Sequence, residues 1–112
     1  MSTLSPYAQL FIKADGITIC IKLVDIIYLE AQGRQVKIVT VKKDYLTYAT
    51  LAYLEEGLFP DFFWRVHRSF IVHKIHIDTI QDGSIHMGAY SIPIGQSYER
   101  QLLHNTKIKT EN

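Results

Sequence analysis

The sequence predicts a β-rich domain of hairpin-connected strands with one or two short helices, and three observations predict it. Short runs rich in Ile, Val, Phe and Tyr recur along the chain, several of them alternating apolar with polar residues as half-buried strands do. Asp-Gly pairs suited to tight hairpin turns separate some of these runs, at Asp15-Gly16 and Asp82-Gly83. Helix start and stop signals are few.

Taken in order, residues 8–14 and 17–23 flank Asp15-Gly16 and read as a hairpin. Ile17, Ile19, Ile21 and Leu23 fall on one face of the second strand, with Thr18, Cys20 and Lys22 on the other. Residues 24–30 form a further strand, apolar on both faces and therefore central. Ala31, Gln32, Gly33 and Arg34 read as a loop, and residues 35–41 as the strand leaving it. Lys42, Lys43 and Asp44 turn the chain into a strand over 45–49. Thr50 is a fitting N-cap for a short helix whose Leu51, Leu54 and Leu58 share one face and which Gly57 can stop. Strands follow over 62–66, 75–81, 84–87 and 90–94, with Pro93 marking the last as an edge strand. Residues 97–105 read as a closing helix with Leu102 and Leu103 facing inward, and the polar tail from Thr106 as frayed.

The chain has 112 residues, the size of one domain, and can bury a core without disulfide or metal support. Its 47% hydrophobic and 21% charged residues are ordinary for a globular protein. No apolar run approaches the ~20 residues of a membrane helix. The first residues carry neither the basic nor the apolar segment of a signal peptide. A single cysteine, Cys20, excludes an internal disulfide and fits a reducing cytoplasm, the expected location.

Net charge is only +1, but its distribution is uneven. Residues 62–77 hold Arg65, Arg68 and Lys74 with three histidines and no acid. Residues 31–43 hold Arg34, Lys37, Lys42 and Lys43, again with no acid. If folding brings these windows to one face, the local field suits a large anion, and phosphate-rich nucleic acid is the commonest.

With these elements placed, the sequence resembles the LytTR family of bacterial DNA-binding domains. Three segments carry the likeness: Asp25-Ile26-Ile27-Tyr28-Leu29-Glu30-Ala31, then residues 51–58 with Phe63-Trp64-Arg65-Val66-His67-Arg68-Ser69-Phe70-Ile71-Val72, then Ile92-Pro93-Ile94 leading into Tyr98. The resemblance implies an elongated, mainly β, mostly antiparallel fold spanning residues 1–112 as a single domain with its core at about 8–105. It also implies a transcription regulator that binds paired direct repeats of double-stranded DNA, with loops in the major grooves and two copies on the duplex. Three places should then touch DNA: the loop at Arg34 and Gln35, the His67-Arg68-Ser69 corner, and the segment before Tyr98. The chain departs from the family at His73, where Asn is usual, and at Gly95-Gln96, where a Ser-Arg pair is usual and a cation is lost. Family members mostly sit behind a receiver domain, for which this chain has no room.

Arg68 is the first candidate for base readout, because a guanidinium offers two parallel donors matching O6 and N7 of guanine. The competing account is a surface ion pair, which is worth little. His67 either donates to phosphate or base, or caps the neighbouring turn. Arg65 lies in a strand between Trp64 and Val66, so an ion pair inside the fold competes with phosphate contact. Arg34, Gln35 and Lys37 sit at a loop-to-strand junction, Lys37 pointing away from whatever Val36 and Ile38 bury. Ser69, His73 and Lys74 complete the basic run as candidate DNA contacts. Gln96, Ser97 and Arg100 offer one further contact, unless Ser97 serves only as a helix N-cap.

Other chemistry is less well supported. Phe62, Phe63, Phe70 and Tyr28 suit a core better than base stacking. The histidines at 67, 73, 76 and 86 are not spaced to converge on a metal. There is no phosphate-binding glycine loop and no nucleophile motif, so neither cofactor nor catalysis is expected. The competing class is a β-rich protein-interaction module presenting a cationic face to an acidic partner.

Overall fold

The computed structural model describes residues 8–58 and 60–106. Asp15 and Gly16 both adopt positive φ, 53° and 79°, as a two-residue hairpin turn of the I′ kind requires. They join β1 (Gln9–Ala14) to β2 (Ile17–Lys22) in the register Ala14–Ile17 through Gln9–Lys22. The expected apolar face of β2 is graded: Ile21 is buried, Ile19 half-buried, and Ile17 exposed near the hairpin tip.

A single 3-10 turn over Leu23–Asp25 delays the next strand, so β3 runs Ile26–Gln32. The loop expected over 31–34 contracts to Gly33 and Arg34, because Ala31 and Gln32 stay paired with Val36 and Gln35 of β4 (Gln35–Thr40). β5 (Asp44–Tyr48) completes a meander, and α1 (Leu51–Glu55) follows, with Thr50 Oγ1 accepting from Tyr53 N at 3.0 Å as its cap. β6 (Phe63–His67) and β7 (Phe70–His73) add to the same antiparallel sheet, whose order is β5-β4-β3-β7-β6. β3 is central, as its apolar faces require. β7 is a strand the sequence reading did not anticipate.

Beyond β7 the expected long strand over 75–81 divides. Lys74–His76 makes a 3-10 turn, and only β8 (Thr79–Gln81) is extended. β8 pairs with β9 (Ser84–Met87), and β9 with β10 (Tyr90–Pro93), leaving Pro93 on an edge strand where its missing N–H costs nothing. α2 (Gln96–Thr106) closes the fold. Leu102 is 4% exposed, but Leu103 is 53% exposed, contrary to expectation, because adjacent helical residues point about 100° apart. The rest of the expected tail, residues 107–112, lies outside the described residues.

The five-stranded sheet is sandwiched between two cores. Leu29, Val36, Ile38 and Ile71 face Leu10, Ile12 and Ile21 of the first hairpin and Leu51, Leu54 and Leu58 of the α1 segment. Tyr28, Val39, Val66 and Val72 face Ile85, Met87, Ile92 and Leu102. Each such buried side chain contributes roughly 1.5–3 kcal/mol by leaving water. The body measures 54 × 37 × 24 Å, elongated as expected.

Candidate nucleic-acid interface

The β3–β4 and β6–β7 turns project from the same end of the central sheet. Ala31 N donates to Ser69 O at 2.9 Å, tying the base of one hairpin to the tip of the other. From Ala31, two more residues at about 3.4 Å each bring the chain to the Gly33-Arg34 turn. Gly33 takes φ 62°, which leaves Arg34 at the outermost point of the hairpin.

The third segment arrives through α2. Gly95 N donates to Val66 O at 2.8 Å, and Tyr98 N to Gly95 O at 2.9 Å. A Cβ on Gly95 would stand 3.1 Å from Tyr98 Cδ2 and 3.4 Å from His67 Cα, so α2 starts in close contact with the corner. The helix begins at Gln96. Gly95 therefore occupies the capping position, Ser97 is not the N-cap, and its exposed hydroxyl lies free of that duty. Gln96 and Arg100 are one helical turn apart and share a face.

The corner itself is built from side-chain bonds to backbone. His67 Nδ1 accepts from Ser69 N at 3.0 Å, which places the proton of the neutral ring on Nε2. The ring stacks edge-on to Phe70, centroids 5.4 Å apart. The turn-capping role is thus present, and Nε2 is left as the donor for an outside group. Arg65, on the α1 side of β6, donates from Nη1 to Glu55 Oε1 at 2.7 Å, from Nε to His67 O at 2.9 Å and from Nη2 to Arg68 O at 2.6 Å. It is an internal residue of the fold, as the ion-pair alternative required.

Among the described residues the ion pairs are Lys37–Glu30 and Arg65–Glu55. Arg34, Arg68 and Arg100 are all exposed, and their guanidinium groups pair with no described carboxylate. Gln35 lies at the mouth of the first turn, and Lys37 sits two residues back along β4, half-exposed beside Glu30 at 3.8 Å. Glu99, in the first turn of α2, is an acid at this end. It suits the helix N-terminus but opposes phosphate.

Two candidates are displaced from the site. His73 and Lys74 stand at the opposite end of β7 from the Arg68-Ser69 turn, so no strand geometry brings them to the corner. His73 is a core residue, 2% exposed. Its Nδ1 accepts from Ile75 N at 3.2 Å, while Nε2 is buried without a hydrogen-bond partner among the described residues. Burial, with His76 and Lys74 nearby, lowers its pKa from 6.5 to about 4. Lys74 holds its ammonium 5.2 Å over the Trp64 ring. Sequence reasoning also missed Glu55 and the close approach at Gly95. A cation on a strand face shared with buried Phe63 was the signal that an acid had to lie opposite.

An elongated antiparallel sheet that gathers turns bearing arginines unpaired among the described residues at one end suits a class of β-rich nucleic-acid-binding domain. The family model of the LytTr DNA-binding domain matches residues 17–107, and the chain belongs to that family. The chain is 32% identical over 90 residues to the sensory transduction protein LytT of Bacillus anthracis, and 31% identical over 90 residues to LytT of Bacillus cereus. Each match covers 75% of this chain and 37% of the relative, so the chain spans little more than a third of those relatives' length. Its fold is similar to a LytTr DNA-binding domain from Bacillus cereus, with a TM-score of 0.78 at 24% identity, covering 89% of this chain and 97% of that one.

Proposed function

We propose that the chain is a single-domain, sequence-specific binder of double-stranded DNA in bacterial transcription regulation, acting through the end of the sheet where residues 33–35, 67–69 and 95–97 meet. The observation that carries this reading is the set of exposed Arg34, Arg68 and Arg100 side chains, unpaired among the described residues, on or beside those segments. Arg68, on the outermost turn of β6–β7, reads a guanine edge in the major groove. Gln35 and Gln96 read neighbouring bases, while Arg34, Lys37, Arg100 and the His67 Nε2–H bind phosphate. Two copies bind direct-repeat sites, in the cytoplasm. No helix among the described residues is long and apolar enough to cross a membrane.

The test is an anisotropy titration of a labelled duplex from the gene's own upstream region against a shuffled duplex, at about 50 and 200 mM salt. Tight, salt-sensitive and selective binding is the expected result. No binding at the lower salt would instead favour a protein-interaction module, for which one feature speaks: edge-strand residues Leu46 and Tyr48 are exposed, Tyr48 by 79%.

A further inference from the structure

We propose that Arg65, oriented by Glu55, is a positioning residue that sets the geometry of the DNA-reading corner without touching DNA. The proposal rests on the DNA-binding reading above. The pairing of β6 with β7 shifts register between Arg65 and His67, so the ladder is irregular where the corner begins. The carbonyls of His67 and Arg68 are the acceptors that the Arg65 guanidinium takes up, at 2.9 and 2.6 Å. One rigid planar group bridging two successive carbonyls restrains both peptide planes, and with them the direction in which the Arg68 side chain leaves the turn. The His67 ring restrains the same turn from the other side by accepting from Ser69 N.

Glu55 gives the device its orientation. Its carboxylate meets Nη1 at 2.7 Å, across from the two carbonyls, so the guanidinium is held from both sides. The charge of Arg65 is thereby neutralised inside the fold, with the Arg and Glu side chains 21% and 43% exposed. α1 carries Glu55 and is anchored in the core by Leu51 and Leu54. The corner is therefore referenced to a helix on the face of the sheet that does not carry α2.

A cation already paired and aimed at backbone contributes nothing to phosphate neutralisation, and that separates positioning from contact. In Arg65→Lys, which keeps the charge but lacks the rigid planar fork that spans the two carbonyls and Glu55, the preference for matched over shuffled duplex should fall roughly tenfold. The salt slope should stay at the wild-type value, whereas a lost phosphate contact would lower it by roughly 0.9. Glu55→Gln, a helix-surface change that leaves the core intact, should cost about threefold in preference with the same slope. In the free protein, ¹⁵N relaxation should show residues 67–69 as rigid in the wild type and mobile on the nanosecond scale in Arg65→Lys.

Retained preference in Arg65→Lys, or a lowered slope, overturns the proposal. So does a turn that stays rigid in both variants. The DNA-free arm keeps the two ideas apart. If the wild type shows no duplex preference yet the turn loosens in Arg65→Lys, the DNA reading fails while the turn-fixing role stands.

Discussion

Arg65 and Arg68 belong to one basic run, yet the fold gives them different work: three hydrogen bonds hold Arg65 inside, and Arg68 extends into solvent. Residue type and spacing left that division open, because a strand face next to a turn admits either an internal ion pair or an outward contact. Arg68→Ala should flatten discrimination between matched and shuffled duplexes by ~1–3 kcal/mol. Lys37→Ala should lower affinity for both duplexes equally and only slightly, since Lys37 is set back and already paired with Glu30. Competition titrations with the two duplexes check both, and equal losses of discrimination would refute the assignment. His73 carries a different prediction. Folding keeps its ring neutral down to about pH 4, while the unfolded chain takes the proton near 6.5. The unfolded state therefore binds more protons between those values, and stability should fall as pH drops from 6.5 to about 4 and then level off. The loss approaches ~3 kcal/mol at the lower end, and above the unfolded value the group contributes no pH dependence. His73→Asn, the residue usual in the family, offers an oxygen to Ile75 N and should flatten that window in urea midpoints measured across it. An unchanged pH slope would assign the acid sensitivity elsewhere.

At the scale of elements, local chemistry was the more legible part. Asp15-Gly16 and Asp82-Gly83 adopt the positive φ that their hairpins need, and Thr50 caps α1 as its position before Leu51 suggested. Thr50→Ala should lower unfolding free energy by about 1 kcal/mol in denaturant titrations, with the slope of the transition unchanged. An effect near zero would mean that the tertiary contacts of Leu51 and Leu54 alone hold this short helix. β7 escaped notice because Phe70, Ile71, Val72 and His73 show no alternation: three of the four are buried, in a strand hydrogen-bonded on both sides. The expected strand over 75–81 failed for a related reason. Its apolar Ile75 is 64% exposed, so hydrophobicity there did not report burial. Leu103 likewise had an apolar side chain but the wrong helical angle.

On the scale of the whole molecule, one sheet serves two cores, and every strand of it contributes to at least one of them. Unfolding should therefore be a single cooperative transition in which far-ultraviolet circular dichroism and Trp64 fluorescence change together. Leu29→Ala, on the α1 side, and Ile85→Ala, on the α2 side, should each move the entire transition, by ~2–5 kcal/mol. Separate transitions for the two signals in either variant would show that the faces unfold independently.

Much followed from the sequence by itself: a β-rich class, two Asp-Gly hairpins, a central third strand, a capped short helix, and the basic windows with their family likeness. These rest on φ preferences, strand alternation and charge, all of which act over a few neighbouring residues. Only the tertiary structure decided which basic residues share a surface. The bonds that gather the site, Ala31 to Ser69 and Gly95 to Val66, join segments tens of residues apart. The same long-range packing buries His73 and turns Arg65 inward, because a side chain's role depends on which distant backbone and carboxylate groups the fold sets beside it.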